Sequence, residues 1–169
     1  MRSLEGFSGK SGDMLERTNH PTDKTGSGAG PLSAGLSDPA LLVARILVGY
    51  IFLLGGWGKL TGLAGFAAYL EGHGLPAGYP LAVLGAGVEF LSGLCLILGI
   101  ATRYAALAAI AFTLVATGIA HRFWEFDEAA RRGQTINFNK NMAIIGGLLA
   151  LAVAGPGRFS IDRLAGRKT

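Results

Sequence analysis

Between residues 40 and 120 the chain holds five charged side chains, Arg45, Lys59, Glu71, Glu89 and Arg103, out of 15 basic and 11 acidic in all. A soluble domain with one core needs a polar face on every helix, and a stretch this poor in charge cannot supply it. The fold class expected is therefore all-α: a polytopic membrane protein, a bundle of four transmembrane helices preceded by a disordered polar tail. The mean hydropathy of +0.43 understates this, because the polar ends dilute it.

Four apolar segments carry the reading, at about Pro39 to Leu60, Tyr79 to Ile100, Arg103 to His121 and Asn139 to Pro156. Each approaches the roughly 20 residues that cross about 30 Å of hydrocarbon at 1.5 Å per residue. The runs are continuous rather than alternating, which argues against a β-barrel. Residues 1–38, rich in Gly, Ser, Thr and Asp, cannot bury enough apolar surface to offset ordering entropy. No apolar core of a secretory signal follows Arg2, so the first span is expected to direct insertion itself. The domains are then a polar tail (1–38), a membrane domain (39–160) and a basic tail (161–169). Gly99-Ile100-Ala101-Thr102 admits only a tight hairpin, while the connections 61–78 and 122–138 are longer and share the opposite side.

Charge and residue type exclude several functions. The first 39 residues balance four basic against five acidic side chains, whereas residues 157–169 set Arg158, Arg163, Arg167 and Lys168 against Asp162. A basic tail after an apolar span meets anionic lipid, so nucleic acid is not an expected partner. Counting basic residues near the spans, Lys24, Arg103, Arg158, Arg163, Arg167 and Lys168 lie on one side. Lys59, Arg122, Arg131, Arg132 and Lys140 lie on the other, so both termini are expected in the cytoplasm. Cys95 is the single cysteine, which removes disulfides, a Cys-x-x-Cys redox pair and a cysteine-built metal site within the chain. Of the histidines only His121 lies near a span, so bis-histidine haem is not expected, nor is any metal site. Gly55-Gly56-Trp57-Gly58-Lys59 lacks the spacing of a phosphate loop.

Within the spans, Ala82, Gly85, Ala86, Glu89, Ser92 and Gly93 form one small-residue face at helical spacing, suited to close helix contact. Arg45, Gly49, Phe52, Gly56 and Lys59 form a matching stripe on the first segment. A charge in hydrocarbon costs at least about 2.5–3.5 kcal/mol, so Arg45 and Glu89 should face the interior. Antiparallel geometry leaves them roughly 9 Å apart along the membrane normal. Two outcomes stay open: an Arg45–Glu89 contact, direct or through water, or Arg45 snorkelling while Glu89 is protonated. Thr113, Thr117 and His121 make a polar stripe on the third segment, and Asn137, Asn139, Lys140 and Asn141 cluster at the mouth of the fourth. The candidate ligand-binding residues are Arg45, Trp57, Lys59, Glu89, His121, Trp124, Asn137 and Lys140, either lining a pocket or forming an ordinary interfacial belt.

The segment Arg45-Ile-Leu-Val-Gly-Tyr-Ile-Phe-Leu-Leu-Gly-Gly-Trp-Gly-Lys59-Leu60 resembles the DoxX family of small four-helix membrane proteins. So do Glu89 ahead of Leu98-Gly99-Ile100-Ala101-Thr102-Arg103 and the Asn139-Lys140-Asn141 start of the last helix. The resemblance covers about residues 40–160 and implies a four-helix bundle in the inner membrane with cytoplasmic termini. It also implies a subunit of, or accessory to, a quinone-linked membrane redox system, with a quinone as the one cofactor and a redox subunit or a second copy as partner. A small-solute permeation protein and a non-catalytic assembly factor are the competing readings.

Overall fold

The structure, a computed structural model, describes residues 31–166. Its helices run in the order α1 (Pro31–Thr61), α2 (Leu63–Gly72), α3 (Gly78–Leu98), α4 (Thr102–Ala120), α5 (Glu128–Ala154) and α6 (Ile161–Leu164). A 3-10 turn, Phe123–Glu125, joins α4 to α5. Four helical stretches are long and apolar enough to cross a membrane: Ser37–Thr61, Gly78–Leu98, Thr102–Glu125 and Glu128–Ala154. The all-α, four-span architecture is thus the one the charge pattern requires. Residues 1–30 of the polar tail and 167–169 of the basic tail lie outside the described residues.

Three boundaries differ from the sequence reading. Helix α1 starts at Pro31, ahead of Pro39, and carries Pro39 inside it. The connection 61–78 contains α2, whose Ala67 and Leu70 are buried against Ala82 of α3 with Leu63 and Phe66 packed beside them. The last span starts at Glu128 rather than Asn139. Its cause is a cap: the Asp127 side chain accepts from the Ala130 N–H at 2.9 Å, giving the charged stretch a helical start before the apolar run begins. Asn137 and its neighbours therefore lie inside a helix, not at its mouth.

The bundle has two ends. At the turn end α3 stops in a left-handed Gly99 (φ 69°), and the Ile100 N–H closes on Cys95 O at 2.9 Å, a Schellman-type stop. Ala101 follows, also left-handed (φ 46°), a conformation that costs a residue with a Cβ about 1–2 kcal/mol. At the opposite, open end lie α2, the start of α3 and the α4–α5 connection.

Helix α1 lies along α3 at very short range, and glycine makes that possible. A Cβ on Gly93 would meet Gly49 O at 2.7 Å, and one on Gly56 would meet Phe90 Cα at 2.6 Å. In lipid no water drives helices together, so such close approach with its dispersion contacts is the main attraction. Helix α4 packs along α5 and α3, and the apolar core sits where all four spans converge toward the turn end: Phe52, Leu96, Ala106, Ala109, Leu148 and Leu151.

The C-terminal segment closes this end. Arg45 is fully buried, and its Nη2 donates to Phe159 O. Asp162, also buried, lies near enough to act electrostatically on the guanidinium, while its own N–H donates to Gly99 O at 3.1 Å. A side chain at Gly99 would collide with Arg45 Nη1, so glycine serves there both the φ and the space. Removing one partner from a buried charge cluster leaves the other uncompensated. Asp162→Ala is therefore expected to cost about 3–5 kcal/mol, and Arg45→Met in the same chain to return most of it, both read as thermal unfolding in one detergent.

Candidate functional site

Between the α1–α3 pair and the α4–α5 pair, on the open-end side of the core, lies a cleft of about 940 Å³. Its walls are mostly apolar: Leu81, Leu84 and Val88 from α3, Ala108, Phe112 and Val115 from α4, and Phe66 and Leu70 from α2. Ile51, Leu84 and Val115 line it while remaining at least half exposed, so the cleft opens sideways toward the lipid-facing surface of the spans.

Its polar groups come from both helix pairs. Lys59 Nζ stands 2.7 Å from Glu89 Oε2, with the glutamate side chain 9% exposed and the lysine 32%. This pair is the answer to a charge in hydrocarbon: each group neutralises the other and both keep a polar face toward the cavity. The lysine head also lies 5.6 Å from the ring centre of Phe66 and 6.0 Å from that of Phe112, within cation–π range. Gly55 makes the pairing possible, because a Cβ there would lie 2.5 Å from Glu89 Oε1. The double glycine does not break α1, which runs on to Thr61.

Across the cleft, Thr117 Oγ1 accepts from Asn141 Nδ2 at 2.8 Å and donates to Thr113 O at 2.6 Å. Thr113 spends its hydroxyl on Ala109 O at 2.7 Å. The back-bond expected of membrane threonines thus leaves Thr113 without a donor for a ligand, but joins Thr117 to α5. His121 Nδ1 lies 2.7 Å from Gln134 Oε1, so Nδ1–H donates to that amide oxygen. From α2, outside the spans, Tyr69 borders the cleft, and burial pushes its phenol above the ordinary range, so it stays a neutral hydrogen-bonding group.

Of the eight candidates, Lys59, Glu89, His121 and Lys140 line this cleft. The other four lie elsewhere. Arg45 belongs to the cluster at the turn end, so the contact with Glu89 weighed from sequence does not form; Glu89 takes Lys59 and Arg45 takes Phe159 O. Trp57 and Trp124 are more than half exposed and face outward, Trp57 against Phe90 and Trp124 against Phe123 and Phe138. Asn137 accepts from Lys140 Nζ at 3.1 Å on the helix surface. Phe66, Leu70, Phe112 and Asn141 also line the cleft. The α2 residues had a signal in Leu63, Phe66, Ala67 and Leu70, which keep the i, i+3, i+4, i+7 spacing of a buried helix face. Among the described residues no three His, Cys, Asp or Glu side chains are grouped to hold a metal.

The pair predicts a coupled response. Lys59→Met leaves Glu89 without its counter-charge in an apolar wall and should lower the unfolding temperature, while Lys59→Met with Glu89→Gln should recover most of the loss. A double-mutant cycle in detergent reads the coupling directly, and additive losses would show that the two groups act separately.

Residues 40–122 match the family model described as DoxX. The chain is 42% identical over 134 residues to Inner membrane protein YqjF of Escherichia coli (strain K12), covering 79% of this chain and 97% of that relative. It is 37% identical over 123 residues to Inner membrane protein YphA of the same organism, covering 73% and 88%. No solved structure matches it significantly.

Proposed function

The chain belongs to the DoxX family, and from that premise we propose that it is a multi-pass inner-membrane protein, both termini cytoplasmic, that binds a quinone as part of a membrane redox system. The location follows its relatives, both named as inner membrane proteins. The orientation follows the count of basic residues near the spans, six on the turn-end side (Lys24, Arg103, Arg158, Arg163, Arg167 and Lys168) against five on the other.

One observation carries the reading: an ion pair between buried Glu89 and half-buried Lys59 in the wall of an apolar cleft that opens sideways to lipid. A water-soluble substrate would call for a polar mouth and a polar lining. A lipophilic ring with carbonyl oxygens calls for apolar walls, flat side chains and a few convergent donors, and the residues present fit it. Lys59 Nζ is the donor for a carbonyl oxygen, Glu89 holds that ammonium in place, and Phe66 and Phe112 border it. His121 and Asn141 supply polar contacts from the α4–α5 side. When bound, a quinone supplies the capacity to take up electrons and protons. The chain's single cysteine forms no dithiol pair of its own, so the electrons come from a partner subunit. The role of this chain is to hold and orient the acceptor.

The test is extraction of the full chain in a mild detergent followed by measurement of bound quinone per protein. Wild type is expected to retain it. Lys59→Met should lower retention at least about tenfold, the loss of one charge-assisted hydrogen bond, and Trp57→Ala should leave it unchanged. Equal content in wild type and Lys59→Met would overturn the reading.

A further inference from the structure

Far from the cleft, at the turn end, the C-terminal segment builds a second surface of a different kind. A hollow of about 220 Å³ lies there, lined by Asp38, Ala154, Pro156, Gly157, Arg158 and Arg163. Arg158 is engaged: its N–H donates to Asp38 Oδ1 at 2.8 Å and its Nε stands 3.9 Å from Asp38 Oδ2. Arg103 is not so engaged. It lies over Gly155, its Nε and Nη2 at 3.4 Å from where a Cβ would stand, and it enters no ion pair among the described residues. Gly155 (φ 81°) and Gly157 (φ 70°) let the chain turn sharply enough to bring Arg163 to the hollow, whose lining residues Ala154 and Pro156 flank the glycine under Arg103.

Each of these arginines is followed in the chain by an exposed ring or apolar side chain: Tyr104 is 77% exposed, Phe159 54% and Leu164 84%, an arrangement that water would penalise and acyl chains would welcome. The surface is also held rigid, since Phe159 O accepts from the buried Arg45 and the Asp162 N–H is tied to Gly99 O.

We propose that this turn-end surface is a binding site for the phosphate headgroup of an acidic phospholipid, with Arg103 and Arg163 as its cationic ligands and Tyr104, Phe159 and Leu164 against its acyl chains. Charge complementarity and position both commit it to a lipid: the guanidinium fork matches a phosphodiester, and the site lies where a span ends in the headgroup layer. Asp38 neutralises Arg158 alone, so the surface keeps a net positive charge that an acidic headgroup satisfies and a zwitterionic one satisfies less well. The site shares no residue with the quinone cleft, and its fate is independent of that reading.

The experiment is native mass spectrometry of the full detergent-solubilised chain titrated with phosphatidylglycerol or phosphatidylcholine. Wild type should retain phosphatidylglycerol about tenfold better, and R103Q/R163Q should bring the two lipids level. The control R131Q/R132Q, which removes two arginines from the start of α5 at the other end, should keep the preference. Inorganic phosphate should not displace the lipid, because it lacks the acyl chains. The proposal fails if wild type shows no preference, if R103Q/R163Q keeps it, if R131Q/R132Q abolishes it, or if inorganic phosphate displaces phosphatidylglycerol at matched concentration. Should R103Q/R163Q not fold, R103Q and R163Q are measured singly; a preference lowered at least about threefold by each supports the site, and one unchanged in both overturns it.

Discussion

A charge that enters hydrocarbon must find its counterpart inside the protein, and α1 brings in two, Arg45 and Lys59. The fold is largely the set of arrangements that satisfies them. Lys59 is met sideways, by Glu89 on the neighbouring span. Arg45 is met end-on, by a backbone carbonyl and a carboxylate from the C-terminal segment that turns back beneath the bundle. Each solution demands glycine close by: Gly55 beside the first pair, Gly99 beside the second. The small residues of α1 and α3 thus serve two ends at once, since the spacing that brings the backbones together also sets the register in which lysine reaches glutamate.

That register has a cost on the other side of the bundle. With α1 pressed onto α3, the contact between α1 and α5 is slight, and the space left on the open-end side is the cleft. At the turn end the alanines of α4 and Leu148 and Leu151 of α5 fill the equivalent space. Packing at one end and a cavity at the other are therefore two consequences of one helix pair, not separate features.

The four spans, the small-residue face of α3 and the stripe of α1 were all legible in the sequence, because hydropathy and helical period are local properties. The buried face Ala82, Ala86, Glu89, Ser92 and Gly93 is the one the spacing marks. Partnership was not legible in the same way. Glu89 is the single acidic residue within the apolar segments, so Arg45 had no other visible counterpart; Asp162 lies beyond the last span and reaches Arg45 only because Gly155 and Gly157 reverse the chain. Lys59 could be read as a lysine of the interfacial belt, and its contact with Glu89 depends on the close approach of α1 to α3, which no periodicity reveals. Trp57 and Trp124 could be read as cavity wall or interfacial belt, and facing, which decides, is a tertiary property. Helix α2 was written in its spacing but hidden by the assumption that a link between spans is loop.

Arg45 and the carbonyl that receives it are 114 residues apart in the chain. At roughly 5–20 residues per second, a ribosome needs about 6–23 seconds to make the second after the first. Throughout that interval the first span holds an arginine with no partner, stretched toward headgroups or water. The segment that seats the first span is thus made well after it, and a nascent chain that stops short of Phe159 presents the membrane's proteases with an unlatched helix.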